Sequence, residues 1–287
     1  MPSGFLNLLK PPGMTSFDVI RALRGGRPKL KLGHSGTLDL PASGVLVVAV
    51  ERATKFLPYL SAEKEYLFEV IFGLETDTGD LWGEIVRDKG ARVERTAVEE
   101  ALACFTGDLI QEVPLFSAKH QDGKRLYQLA LAGQEPSEQK TAAIHIYSLR
   151  LLSFVQGIYP HARLLVRCSG GTYVRTLAKD IGAALSLPAC ARFIIRLRSS
   201  CYRLEESCTL RDLEKGPWPL LPIESALGHL PLEVIAERDL SSFINGRAIS
   251  ASLLGTGLFF RVQDRHGRFI GVGKRQEGRL LMAERLP

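Results

Sequence analysis

The chain has 287 residues, 45% of them hydrophobic and 24% charged, which suits one large globular domain and a smaller one. No apolar run approaches the roughly 18 residues of a membrane span. MPSGFLNLLKPPG has no basic region leading into a long apolar segment, so a cytoplasmic protein is expected. A net charge of +6 with a pI of about 9.1 fits simple solubility or a polyanion partner.

In chain order, the first helix is predicted from TSFDV, capped by Thr15 or Ser16, with Asp18 in its first turn and Phe17, Ile20 and Leu23 as its stripe. Gly25-Gly26 ends it. GVLVVAV, residues 44–50, reads as a buried strand, and KEYLFEVIFG alternates so that Tyr66, Phe68, Val70 and Phe72 share a face. TDTGDLWGE is a turn-rich loop. TAVEEALACF carries a capping box, Thr96 and Glu99, before Val98, Ala101, Leu102 and Phe105 at helical spacing, and Gly107 closes it. Residues 111–140 are polar and irregular around one short helix, RLYQLALAG. Strands follow at AAIHIYSL, RLLSFV and ARLLVRCS, then a helix from Thr172 carrying Val174, Leu177, Ala178, Ile181 and Leu185 on one face, then a strand over residues 192–203. KGPWPLLP reads as a linker or rigid connection. GRAIS, GLFFRVQD, GRFIGVGKR and GRLLMAERL are short strands between glycine turns, a composition that suits a small β-barrel. The expected architecture is an α+β domain followed by a small β domain.

The five cysteines are scattered, with no CxxC pair, and the six histidines show no HxxxH or HExxH spacing. Neither a zinc site nor a disulfide framework is expected, and mostly buried, reduced thiols are. Arg21, Arg24, Arg27, Lys29 and Lys31 fall within eleven residues without an acid. A second basic cluster, Arg261, Arg265, His266, Arg268, Lys274, Arg275 and Arg279, lies near the C-terminus. This distribution makes nucleic acid the leading partner, although either zone alone could be a solvated face.

HSGTLDLPASG, residues 34–44, holds a single carboxylate, Asp39, with no other charge from Gly33 to Val50. A partly buried acid stays ionised only with a cation or several hydrogen bonds. Arg175 is the best candidate for that cation. It falls in the first turn of a predicted helix, where the macrodipole disfavours positive charge by roughly 0.3–1 kcal/mol, so it needs an acid opposite or an escape to water. Tyr66 begins its strand face and is either core or a ring on which a base stacks.

The strings around these residues resemble the bacterial TruB family of tRNA pseudouridine synthases. LNLLKPPGMTSFDVIRALR, GHSGTLDLPASGVLVVAVERATK, EYLFEVIFGLETDTGD, VPLFSAKHQDGKRLYQLALAG and CSGGTYVRTLAKDIGAAL occur in the family's order, over residues 5 to about 203. The tail is similar to a small PUA-type RNA-binding domain. The resemblance implies a pseudouridine synthase fold: a mixed, largely antiparallel central sheet flanked by helices over residues 1–228, with an RNA-gripping insertion at about 111–140. A PUA-like barrel over 229–287 would follow. It implies isomerisation of uridine-55 in the tRNA T-loop by base flipping, with no cofactor or metal, by a monomer that contacts the T-arm and the acceptor stem, and a possible tRNA-folding role. Asp39 matches the essential aspartate, Tyr66 the stacked aromatic and Arg175 the paired arginine. Tyr173 and Leu197 match the pocket wall, Lys10 and Pro11 the N-terminal support, and His34 a contact to the flipped loop. Lys119 to Tyr127 match the gripping segment, and Gly36 and Lys64 are carried with the RNA-binding set. The family's proline after the aspartate is Leu40 here, with Pro41 next. A non-catalytic RNA-binding or RNA-folding protein and a hydrolase using Asp39 are the rival readings.

Overall fold

The computed structural model of the chain describes residues 2–25, 29–117, 139–214, 216–250 and 257–286, and the backbone of 120–121 and 124–125. In chain order the first strands are β1 (Gly4–Lys10), β2 (Leu32–Ser35), β3 (Ser43–Val50), β4 (Lys64–Phe72), β5 (Leu74–Thr76), β6 (Ile85–Asp88) and β7 (Gly107–Glu112). Then come β8 (His120–Gln121), β9 (Lys124–Arg125), β10 (Thr141–Val155), β11 (His161–Cys168), β12 (Ala189–Ser199) and β13 (Tyr202–Arg203). Nine of them form one sheet, ordered β1-β3-β12-β4-β11-β10-β7, with β2 beside β3 and β13 beside β12. Every pairing in it is antiparallel except β3 with β12.

Helices α1 (Ser16–Arg24), α2 (Arg95–Leu102) and α3 (Val174–Ala184) flank this sheet. β4 alternates because one face only is dry. Tyr66, Phe68, Val70 and Phe72 join Leu177 and Ile181 of α3 and Val98 and Leu102 of α2 in the main core. β3 does not alternate because both of its faces are covered: Val45 and Val47 pack with Phe5 and Phe56, and Leu46 and Val48 pack with Val19 and Ile20 of α1. Among the described residues no helix is long and apolar enough to cross a membrane.

The C-terminal part is a second sheet of β14 (Leu232–Val234), β15 (Phe259–Gln263), β16 (Phe269–Gln276) and β17 (Arg279–Arg285), in that order and open among the described residues. The expected barrel is therefore not formed by them. GRAIS supplies only the isolated bridge from Ile249 to Leu280, and the helix Glu237–Ile244 was not predicted. This sheet is not free of the rest: Phe269 and Val272 share a hydrophobic cluster with Phe5, Val45 and Phe56.

Several local expectations change. Phe17 is 64% exposed, and the buried face of α1 is Ser16, Val19, Ile20 and Leu23. Thr15 does cap it, in a reciprocal box with Asp18. The Thr96–Glu99 box is not made; α2 starts from Glu94 without a side-chain cap, and Glu99 pairs with Arg95 instead. AAIHIYSL and RLLSFV are one fifteen-residue strand, β10, interrupted by register shifts rather than a turn. α3 begins at Val174 rather than at Thr172, with Tyr173 at its N-cap position and no capping bond from that side chain. Leu221 of the KGPWPLLP stretch bridges Phe5, and Trp218 and Leu220 pack on the α1 cluster, so this stretch is a rigid connection. Only Cys168 and Cys190 are buried; Cys104 and Cys201 are exposed. The predicted helix RLYQLALAG lies outside the described residues.

Gly44 occupies the one parallel junction of the sheet, opposite Arg196, with φ of 110°. A Cβ there would collide with the Arg196 carbonyl and amide. Gly44→Ala is expected to destabilise the chain by more than about 2 kcal/mol in urea unfolding, and an unchanged midpoint would contradict this packing.

Candidate active site

Asp39 sits in the loop between β2 and β3, and both of its neighbours are held by the N-terminal segment. Ser16 Oγ accepts from the Leu38 amide at 2.9 Å and donates to the Leu38 carbonyl at 3.3 Å. The Leu40 carbonyl accepts from Gly13 N at 2.9 Å and from Lys10 Nζ at 3.5 Å, and Lys10 Nζ also donates to the Met14 and Pro11 carbonyls at 2.6 and 2.9 Å. Gly13 reaches Leu40 from a left-handed backbone, φ 80°. Asp39 is thereby fixed through backbone contacts, leaving its carboxylate 38% exposed.

Arg175 meets it from α3, 136 positions along the chain: Nε donates to Asp39 Oδ2 at 2.8 Å. The guanidinium is only 4% exposed, so its remaining donors need acceptors. They find the Thr78 carbonyl at 2.6 Å and the Phe116 carbonyl at 2.7 Å. A second carboxylate, Asp80 Oδ2, lies 3.8 Å from Nε. Burial raises the pKa of Asp80, opposed by its hydrogen bond from the Trp82 amide and by the charge of Arg175. The first turn of α3 is steadied by Gln111, whose side chain accepts from Tyr173 N at 3.0 Å and donates to the Tyr173 carbonyl at 3.3 Å.

Two clefts flank this pair. One, of about 540 Å³, is lined by Asp39, Lys64, Tyr66, Tyr173, Ile194 and Arg196 among others. Burial raises the Tyr66 phenol above its ordinary value against the opposing charge of Arg196, so the neutral form is favoured. The other, of about 730 Å³, lies across Asp39 and is lined by Phe17, His34, Leu40, Trp82, Phe116 and Arg175 among others. Burial, then the charge of Arg196, lowers the His34 imidazole, which favours its neutral form.

The structure brings Asp39, Tyr66, Arg175, Tyr173, Gly36 and Lys64 to one place, with His34 on the adjoining cleft. Lys10 is fully buried and Pro11 only offers its carbonyl to it, so both support the loop from behind. Leu197 faces away, into a separate recess with Glu65, Arg203 and Leu204, and the wall residues from β12 are Ile194 and Arg196. Lys119 and Tyr127 lie outside the described residues. Asp80 and Arg196 were not predicted; strand alternation from Ile194 was the available signal for Arg196. At residue 40 only the carbonyl is engaged, and its amide makes no hydrogen bond among the described residues, so leucine serves where the resembling family has proline. In the C-terminal basic cluster, Arg261 pairs with Glu224 at 3.8 Å and Arg268 with Asp264 at 3.0 Å, which lowers its free positive charge.

Residues 24–174 match the family model described as TruB family pseudouridylate synthase (N terminal domain), and residues 234–286 match Pseudouridine synthase II TruB, C-terminal. The chain is 43% identical over 255 residues to a tRNA pseudouridine synthase B of Syntrophomonas wolfei, covering 86% of this chain and 85% of that one. It is 38% identical over 286 residues to the protein of the same name from Caldanaerobacter subterraneus, covering 99% and 98%. Its fold is similar to a chain in the crystal structure of a Cbf5-Nop10-Gar1 complex, with a TM-score of 0.73 at 25% identity, over 97% of this chain and 78% of that one. The site and these similarities together define the class: the chain belongs to the TruB family of pseudouridylate synthases.

Lys64 gives the site a measurable signature. Burial lowers its ammonium to about 8; Arg196 and Arg198 push the same way, and Cys168 and Glu63 oppose them. Between that value and the ordinary lysine value of 10.5 the unfolded chain binds more protons, so the Lys64 contribution to stability rises with pH across this window. Lys64→Met removes that rise. Its stability relative to the unaltered chain should fall by on the order of 1–3 kcal/mol between pH 7.5 and pH 10 in urea melts. A constant difference would contradict a buried ammonium.

Proposed function

We propose that the chain converts uridine-55 of the tRNA T-loop to pseudouridine in the first cleft. The observation that carries this reading is the Asp39–Arg175 pair at 2.8 Å, at the edge of a cleft whose wall is Tyr66. In the reaction the N1–C1′ bond breaks, the uracil turns, and C5 bonds to C1′; atoms and oxidation state are conserved. A carboxylate whose loop is pinned and whose one oxygen is held by a guanidinium has its other oxygen free for the ribose. There it serves as nucleophile at C1′ or as base at C2′.

The target base leaves its stack at a cost of a few kcal/mol. Stacking on Tyr66 offsets roughly 1–3 kcal/mol of this, and phosphate contacts from the basic strip add to it. With its phenol protonated, Tyr66 is a platform and hydrogen-bonding group rather than a free base for the C5 proton. The second cleft, where Phe17, Leu40 and Trp82 present exposed apolar surface, suits neighbouring unstacked bases. Residues 1–228 form the catalytic unit in this reading and 229–287 an RNA-binding unit for the acceptor stem; the separate family matches support that division. The protein acts in the cytoplasm as a monomer.

Asp39→Asn is expected to abolish tritium release from 5-tritiated uridine in a T-arm transcript while leaving affinity within about three-fold, since the amide keeps the shape and loses the charge. Retained turnover overturns this reading. Arg175→Lys should slow turnover by about 10²-fold or more with little change in affinity, because a point charge cannot satisfy Asp39, Thr78 and Phe116 together. A KM effect alone would place Arg175 in binding instead.

A further inference from the structure

The first cleft holds two cations that the pair does not use. Lys64 is 5% exposed and lines the cleft two residues before Tyr66 on the same strand face. Among the described residues its ammonium has no hydrogen bond or ion pair, and its neighbour Glu63 is engaged by Arg167 and Arg198. Arg196, 1% exposed, donates from Nε to the Val45 carbonyl at 2.7 Å and from Nη2 to the Gly36 carbonyl at 3.1 Å, and it lines the cleft together with Tyr66. No carboxylate forms an ion pair with Arg196 among the described residues. Two buried like charges without a counter-ion cost stability, and the cost is recovered only if an anion arrives from outside.

We propose that Lys64 and Arg196 form an anion-binding floor that holds the uracil ring while it is detached from the ribose. This inference rests on uridine isomerisation as proposed above. When the N1–C1′ bond breaks, its electron pair leaves with the base, and the ring becomes an anion with charge on N1, O2 and O4. C1′ is then carried by Asp39, or the sugar has lost its C2′ proton to Asp39. After rotation, C5 bonds to C1′ with a ring π pair as the C1′–Asp39 bond breaks with its electron pair returning to the carboxylate, or as Asp39 returns the proton to C2′. The C5 proton then departs to solvent and N1 takes one up. Cations at the ring edge stabilise the anion and keep it from diffusing away. A phosphodiester is a poorer fit to this floor. It carries a sugar on each side and cannot be submerged beside side chains 5% and 1% exposed, whereas a flat ring enters edge-on.

The test uses the full chain, unaltered and as Lys64→Met, Lys64→Arg and Arg196→Met, with a T-arm transcript. Single-turnover conversion, affinity at two salt concentrations and melting temperature are measured together. For Lys64→Met the expected result is a rate about 10²-fold lower, with affinity within about three-fold and a melting temperature at pH 7.5 no lower than that of the unaltered chain. Lys64→Arg should regain most of the rate. The deficit of Lys64→Met, read as breaking of the N1–C1′ bond because fluorine at C5 leaves no proton for the last step, should also shrink on a transcript with 5-fluorouridine at the target, whose pyrimidine is the better leaving group; a merely structural lysine would not produce that. A rate within about three-fold of the unaltered chain overturns the inference. So does an affinity loss whose salt slope falls by about one, the mark of a phosphate contact. Lower melting temperatures with equal losses on both transcripts also overturn it. No pseudouridine from the unaltered chain overturns the isomerisation itself, a result distinct from an active chain indifferent to Lys64.

Discussion

A guanidinium removed from water must have its donors met, and Arg175 meets that demand with groups from three distant segments: Asp39 in the β2–β3 loop, Thr78 after β5 and Phe116 beyond β7. A charge-assisted bond contributes roughly 1.5–3 kcal/mol, and stranding a buried partner costs more. The position of α3, the hairpin of β5 and β6 and the aspartate loop are therefore settled together. The same pair places a carboxylate near the N-terminus of α3, where the helix dipole favours negative charge. What is sealed is the cation; the anion keeps an open side, which is what a group that must touch ribose requires.

A second constraint acts on the backbone rather than the charge. Leu38 is tied to Ser16, and Leu40 to Gly13 and Lys10. The N-terminal segment thus works as a brace for the loop, which explains why a fully buried lysine sits at the end of β1 with only carbonyl partners. Behind it, β3 is packed on both faces, so the loop springs from a rigid strand. Precision at Asp39 comes from these supports, since one carboxylate on a mobile loop would lose much of the benefit of orientation.

Much of this was legible in the residues. The period-two pattern of β4 gave its buried face, and the cation in a first helical turn pointed to an acid opposite. What was not legible has physical causes. Phe17 fits the α1 stripe by periodicity, but Ser16 is drawn inward by its bonds to Leu38 and turns the helix so that Phe17 faces out. Ile194 and Arg196 alternate in unbroken register onto the cleft wall, and Leu197 falls on the other side, at the register shift between Arg196 and Arg198. A charged residue on a wall is also unlike what a strand face usually buries. Asp80 sits in a segment whose glycines and threonines read as a turn, and nothing local says that its carboxylate approaches Arg175. The small C-terminal sheet stays open because GRAIS contributes a single bridge instead of a strand.

A crystal structure of the chain with a T-arm transcript, trapped as Asp39→Asn, tests the central arrangement most directly. The account predicts C1′ of uridine-55 within about 3.5 Å of the residue-39 side chain, Arg175 still bonded to it, and the uracil against Tyr66. A loop bound elsewhere, or a target ribose remote from position 39 with Arg175 turned into solvent, would contradict it.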